Sequence, residues 1–224
     1  MNQTLHESIV LITGASSGIG EACAHAFAKA GAKLILLARR EEKLQALKKT
    51  LTAQYQAEAH ILTVDITDET NVLHAIQQLP STWQAIDILI NNAGLAVGLD
   101  KTQDAKVADW NTMIDTNIRG LMTITHALVP GMITRQRGHI VNMGSIAGQQ
   151  PYQGGGAYCA TKAAVHAFNA CLKLDLTGTP VRVSEIAAGM VETEFSKIRF
   201  QGDEKRANAV YHGMQALTAE DIAD

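Results

Sequence analysis

A chain of 224 residues, 46% of them apolar, supplies one α/β domain with a sizeable core and leaves little for a second. Its net charge is −3 and no block of like charges stands out, which argues against nucleic acid or an anionic membrane as a partner. Met1 to Ser8 lack a basic stretch followed by an apolar one, and no apolar run approaches the ~20 residues of a membrane span.

The elements follow in chain order. An apolar run from Ser8 (SIVLIT) reads as a buried strand. Thr13-Gly14-Ala15-Ser16-Ser17-Gly18-Ile19-Gly20 then joins it to a helix-like stretch, Gly18 to Ala30. Glycines at that place let the backbone turn tightly and let a pyrophosphate approach, while the helix start offers free N–H groups and a partial positive charge. No Gly-Lys-Ser/Thr follows, so an NTPase phosphate loop is not expected.

A second strand from Lys33 (KLILLA) ends in Arg39-Arg40 and leads into a helix from Glu41 to Ala57. An enzyme for NAD would place an acid there for the adenosine ribose. An acid would repel a 2′-phosphate, whereas arginine binds one with paired, charge-assisted hydrogen bonds. NADP is therefore the expected cofactor, the alternative being two solvated arginines at a sheet edge. A third strand from His60 (HILTV) precedes Asp65-Ile66, with Asp65 placed either for the adenine amino group or as the cap of a helix beginning near Asp68.

A fourth strand from Ile86 (IDILI) runs into Asn91-Asn92-Ala93-Gly94. The gap from there to the fifth strand at His139 (HIVNM) has room for two helices. The second, about Trp110 to Gln136, contains Pro130, where a kink or break is expected. Ser145 follows the fifth strand, and Gly189 to Thr193 follow the sixth, which begins at Val181 (VRVSEI). Strands alternating with amphipathic helices imply βαβ units and a buried parallel sheet. Ligands bind outside the carboxyl ends of such strands, and six signals at one edge argue for one composite site.

Tyr158 and Lys162 stand four residues apart in a helix-like run, Ala157 to Leu176, and so share a face. A phenol is too weak an acid to act as a base at neutral pH, but a nearby ammonium and an oxidised nicotinamide would both favour the phenolate. Tyr158 would then take the alcohol proton in oxidation or give it in reduction. Ser145 would hold the reacting oxygen. Taken alone, such a pair is more often a packed tyrosine beside a solvated lysine. Cys23, Cys159 and Cys171 show no metal spacing and read as small, buried, reduced thiols of a cytoplasmic protein.

The set Thr13-Gly14-x₃-Gly18-Ile19-Gly20, Asn91-Asn92-Ala93-Gly94, Asn117, Ser145 and Tyr158-x₃-Lys162 resembles the short-chain dehydrogenase/reductase family over nearly the whole chain. The resemblance implies a doubly wound, Rossmann-like parallel sheet of about seven strands with helices on both faces, in a homo-oligomer, a tetramer or dimer. It implies Asn117, Ser145, Tyr158 and Lys162 as the catalytic set, with Asn117 holding a water of a proton relay; a plain helix-interior polar residue is the other reading of Asn117. The implied cofactor set is Gly14, Ser16, Ser17, Gly18, Ile19, Gly20, Arg39, Arg40, Asp65, Ile66, Asn91, Ala93, Gly94, Tyr158, Lys162, Gly189, Val191 and Thr193. Segments such as Trp110-Asn111-Thr112-Met113-Ile114-Asp115-Thr116-Asn117 and Thr193-Glu194-Phe195-Ser196 are similar to the NADP-dependent 3-hydroxy acid, serine-type, dehydrogenases.

Two departures stand out. The family has Pro-Gly after the sixth strand where this chain has Ala188-Gly189, which is expected to loosen the turn. Family members also run on through a helix and a final strand, whereas this chain ends at Asp224 just inside that helix. The expected unit is one dinucleotide-binding domain over residues 1–224, with residues 189–213 as a substrate lid. Within the lid, Arg199 either clamps a substrate carboxylate or pairs with Glu194 or Asp203. A non-catalytic NADP-binding sensor or scaffold is the rival from another class, and a methyltransferase on a similar sheet is a weaker third.

Overall fold

The computed structural model describes residues 5–213 and 215–224, so Met1 to Thr4 of the amino-terminal stretch read above lie outside it. Six parallel strands form one sheet: β1 (Ile9–Thr13), β2 (Lys33–Ala38), β3 (Ala59–Thr63), β4 (Ile86–Asn91), β5 (His139–Met143) and β6 (Arg182–Ile186). Their order is β3-β2-β1-β4-β5-β6, with β3 and β6 at the edges. After β3 the chain crosses back to the far side of β1, which makes the crevice between β1 and β4 the topological switch point where ligands of open α/β sheets bind.

The helices are α1 (Gly18–Lys29), α2 (Glu41–Tyr55), α3 (Glu69–Gln77), α4 (Val107–Ile114), α5 (Leu121–Thr134), α6 (Gly156–Asp175), α7 (Glu194–Arg199), α8 (Glu204–Ala209) and α9 (Ala219–Ala223). Period-2 alternation explains the layers. Ile9 and Leu11 of β1 pack with Ile124 and Leu128 of α5 and Leu172 of α6, whereas Val10 and Ile12 pack with Ala24 and Ala28 of α1 and Leu44 and Leu47 of α2. Both faces of the sheet are therefore covered, which is why its strands read as near-continuous apolar runs.

The long helical stretch departs from expectation. Its irregularity is a π-helical segment, Asp115–Gly120, between α4 and α5, while α5 runs unbroken through Pro130. The widened turn places Asn117 inward, and buried Asn117 accepts from Leu95 N (2.8 Å) and donates to Leu95 O (2.8 Å) and Thr161 Oγ1 (3.0 Å). One π turn inside a helix is a common device at functional sites. Cys171 differs from expectation too: it lies exposed on α6, while Cys23 and Cys159 are buried. Burial pushes the Cys23 thiol up to about 11, so it stays protonated.

Candidate active site

The carboxyl ends of all six strands surround one cavity of about 800 Å³, within the range of small-molecule and cofactor sites. Its adenosine end begins at the β1–α1 turn. Gly14 has φ +66°, and a Cβ there would sit 2.9 Å from Asn92 Nδ2; at Gly20 it would sit 2.4 Å from the Gly14 carbonyl. Only glycine fits either place. Thr13 Oγ1 accepts from Asn92 N (3.0 Å) and Ala93 N (2.9 Å), and Asn92 Nδ2 donates to Thr13 O (2.9 Å). Thr13 and Asn92 thus lock the first loop to the fourth, a pairing that neither motif shows by itself.

Of the expected cofactor residues, Gly14, Ser16, Ser17, Gly18, Ile19, Arg39, Arg40, Asp65, Ile66, Ala93, Gly94, Tyr158, Lys162, Gly189, Val191 and Thr193 line the cavity. Gly20 and Asn91 stand behind it. Gly20 supports the turn from below, and buried Asn91 ties β4 to its neighbours by donating to Thr125 Oγ1 (2.8 Å) and Asn142 Oδ1 (2.9 Å). Asn117 also lies behind the wall, holding Leu95 rather than facing the cavity.

The two arginines differ. Arg39 is mostly exposed and pairs with Asp65 at 3.5 Å. Arg40 folds back over the glycine loop, donating to Ser17 Oγ (2.8 Å), Ser16 Oγ (3.1 Å) and Ser16 O (3.2 Å), and to Glu194 (3.0 Å). Asp65 caps no helix: it accepts from Thr67 N and Thr67 Oγ1, while Asp68 caps α3. Those bonds and the Arg39 charge outweigh partial burial and hold the Asp65 carboxyl below its usual value.

At the other end, Tyr158 and Lys162 project from one face of α6, and Ser145 follows β5. Lys162 Nζ is buried and donates to Met143 O at 2.7 Å, 6.0 Å from the centre of the Tyr158 ring. Burial pulls the Lys162 ammonium down to about 8, partly opposed by the Glu185 carboxylate on β6. Burial also raises the Tyr158 phenol above its usual value, and the Ser145 hydroxyl draws it part-way back. The lysine therefore does not lower the phenol as expected: its ammonium is turned to the Met143 carbonyl. Ser145 Oγ donates to Ala188 O (3.3 Å), and Ala188 N donates to Ile186 O (3.0 Å), a bond a proline could not make. Ala188 thus closes its turn with a hydrogen bond of its own instead of loosening it.

Arg199, at the end of α7, pairs with neither Glu194 nor Asp203. Its Nε donates to Gly98 O at 3.0 Å, and its guanidinium carbon lies 5.3 Å from the centre of the Tyr152 ring and 5.8 Å from that of Tyr158. Glu194 is held by Arg40 and Lys43, and Asp203 caps α8. Tyr152 and Lys43 carried no motif that could have marked them, and Glu194 stood in the Thr193–Ser196 segment with nothing there to point to Arg40 or Lys43.

The family model for short chain dehydrogenases matches residues 8–204. The chain belongs to the short-chain dehydrogenase family. Its relatives include the NADP-dependent 3-hydroxy acid dehydrogenase YdfG of Salmonella typhi, 48% identical over 96% of this chain and 86% of the relative. A sulfoacetaldehyde reductase of Chromohalobacter salexigens is 49% identical over 96% of this chain and 85% of its own. Among solved structures, the closed form of a serine dehydrogenase complexed with NADP+ superposes with a TM-score of 0.91 at 46% identity, covering 96% of this chain and 86% of that one. As a short-chain dehydrogenase this protein is an enzyme, an oxidoreductase on a Rossmann-like sheet. Among the described residues, no helix is long and apolar enough to cross a membrane.

Proposed function

We propose that this enzyme moves a hydride between NADP and the alcohol or carbonyl carbon of a small acid, with Tyr158 passing the proton. Relatives that use NADP agree with the residues present. The end of β2 carries Arg39 and Arg40 and no acid, and the glycine turn leaves space that a side chain would fill. Arg39, Arg40, Ser16 and Ser17 would hold the adenosine phosphate, Asp65 and Ile66 the adenine, and Thr193 and Val191 the nicotinamide amide. When bound, the oxidised nicotinamide supplies a positively charged ring that accepts the hydride.

The chain's own residues do the rest. In reduction, Tyr158 gives its hydroxyl proton to the oxygen that becomes an alcohol; in oxidation it takes that proton back. Ser145 holds the oxygen, and Lys162 fixes the cofactor ribose. A phenol kept protonated by burial holds the proton that the reductive direction consumes. Residues 189–213 act as a lid within a single catalytic domain of residues 1–224.

The observation that carries the substrate class is Arg199 beside Tyr158. A guanidinium there meets an anionic head group close to the reacting carbon. A 3-hydroxy acid and sulfoacetaldehyde, the compounds named for the relatives, share one layout: an anionic head, one carbon, then the reacting carbon. Steady-state rates on 3-hydroxy acids, serine, sulfoacetaldehyde and neutral alcohols and ketones, each with both cofactors, test the reading. NADP-linked turnover confined to the anionic compounds supports it; preference for neutral ones, or cofactor binding with no turnover, overturns it. The cellular setting belongs to the same proposal: a cytoplasmic homo-oligomer, a dimer or tetramer. Exposed Val107, Ile114 and Met122 along α4 and α5 offer an apolar surface for such assembly.

A further inference from the structure

An acid stands where the cofactor's extra phosphate is expected. Glu194 Oε2 lies 3.0 Å from Arg40 Nη1, and its Oε1 lies 2.9 Å from Lys43 Nζ. The remaining Arg40 nitrogens are taken by Ser16 and Ser17. Glu194 bridges Arg40 and Lys43, so a phosphate that is to bridge the same two cations must displace its carboxylate. The serine contacts are neutral, whereas Glu194 and a phosphate would repel each other across the same two cations. All three side chains are about two-fifths exposed, so these ion pairs are weak and exchangeable.

Glu194 also sits at a mechanical junction. It is the first residue of α7, just after Thr193, whose methyl group lies 3.2 Å from where a Cβ of Gly18 would be. Phe195, the next residue, packs edge-on against Tyr158 with ring centres 5.6 Å apart, and Arg199 ends the same short helix over that ring. One six-residue helix therefore runs from the adenosine phosphate pocket to the proton donor.

We propose that Glu194 is a specificity-determining residue that occupies the place of the 2′-phosphate on Arg40 and Lys43, and that NADP binds by exchanging its phosphate for this carboxylate. The exchange frees the start of α7, so the phosphate that distinguishes NADP from NAD also releases the helix that carries Phe195 and Arg199. NAD brings no group able to displace Glu194. Lys43 joins Arg40 as a phosphate ligand. The inference rests on the NADP reading above.

The test needs no turnover. Adenosine 2′,5′-bisphosphate carries the phosphate without the nicotinamide, and adenosine 5′-diphosphate lacks the 2′ group. Both are titrated calorimetrically, with NADP and NAD, into wild type, Glu194→Gln and Arg40→Ala. Glu194→Gln should tighten NADP and the 2′,5′-bisphosphate by about three- to thirtyfold, the range two half-exposed ion pairs are worth, and leave NAD and the 5′-diphosphate unchanged. In wild type, the 2′,5′-bisphosphate should speed hydrogen exchange of the amides at 194–199, and the 5′-diphosphate should not. If the bisphosphate fails to bind wild type, the NADP reading falls and the exchange with it. If it binds through Arg40 but Glu194→Gln leaves its affinity unchanged or weaker, or exchange at 194–199 stays the same, the reading survives and the exchange alone is overturned.

Discussion

The Lys162 ammonium lies 6.0 Å from the centre of the Tyr158 ring and gives a hydrogen bond to the Met143 carbonyl. It can steer a ribose and keep a positive charge near the phenol, but it does not itself carry the proton. On the proposed reading that role falls to Tyr158. Tyr158→Phe should keep its fold and its NADP affinity while kcat drops by about 10²-fold or more, the usual worth of general acid–base catalysis. Steady-state kinetics beside a cofactor titration check this, and retention of more than about a tenth of the wild-type kcat would remove Tyr158 from the role.

The same lysine sets a pH dependence. In reduction Tyr158 must hold its proton, and burial keeps it protonated well above neutrality. The alkaline limb of kcat/KM then belongs to Lys162, whose charge is lost near pH 8. The charged and titratable groups around it are Tyr158 on its own helix and Glu185 on β6, the latter paired with His166 at 2.7 Å. Glu185 raises the lysine, so Glu185→Gln must lower it and move the alkaline limb to lower pH. A pH–rate profile in the reductive direction decides: a limb that stays put belongs to another group.

Arg39 and Arg40 should separate under mutation, although the sequence shows them as a pair. Arg40 reaches over the glycine loop, while Arg39 is 68% exposed and leans on Asp65. Arg40→Ala should weaken NADP by about 10- to 100-fold, the loss of a charged hydrogen-bond contact, with Arg39→Ala weaker in effect and NAD unchanged for both. Fluorescence titration of both cofactors measures it. Equal losses of NADP and NAD would mean that Arg40 only shapes the loop.

Asn117 separates structure from chemistry. It satisfies both the N–H and the C=O of Leu95, next to Gly94 on the cavity wall. Asn117→Ala strands those buried groups and should cost about 1–3 kcal/mol or more of stability, read from a denaturant midpoint, together with a loss of kcat as the wall shifts. Unchanged stability with kcat lost would instead support the proton-relay role.

How much of this could be read in the chain depends on where the information lies. All six strands were legible, because a sheet buried on both faces needs continuous apolar runs such as KLILLA at β2. The glycine turn and the Tyr158–Lys162 spacing were legible because each fixes its geometry locally. The π turn at Asp115–Gly120 was not: Pro130 was the visible breaker, yet α5 absorbs it, and the contacts that Asn117 makes from the bulge, with Leu95 and Thr161, are distant in the chain. Glu194 and Lys43 were hidden for a similar reason. They are 151 residues apart and meet only when the segment after β6 folds back over the β1–α1 turn.

Arg199 offers the sharpest test of substrate class. Its partners are a backbone carbonyl, Gly98 O, and the rings of Tyr152 and Tyr158, and among the described residues no carboxylate pairs with it. Gly98 N in turn donates to the Arg199 carbonyl at 2.9 Å, which fixes the end of α7 against the loop after β4. A guanidinium beside Tyr158 presents its remaining N–H groups to an anion. Arg199→Ala should therefore lower kcat/KM on a 3-hydroxy acid by about 10- to 100-fold, the worth of a charged hydrogen bond. A neutral alcohol of similar size should lose no more than about threefold, since it meets no charge there. Sulfoacetaldehyde should follow the acid, because a sulfonate offers the same guanidinium its oxygens. Equal losses on acid and neutral alcohol would show that Arg199 only pins α7 to Gly98, and the anionic head group would then need another partner.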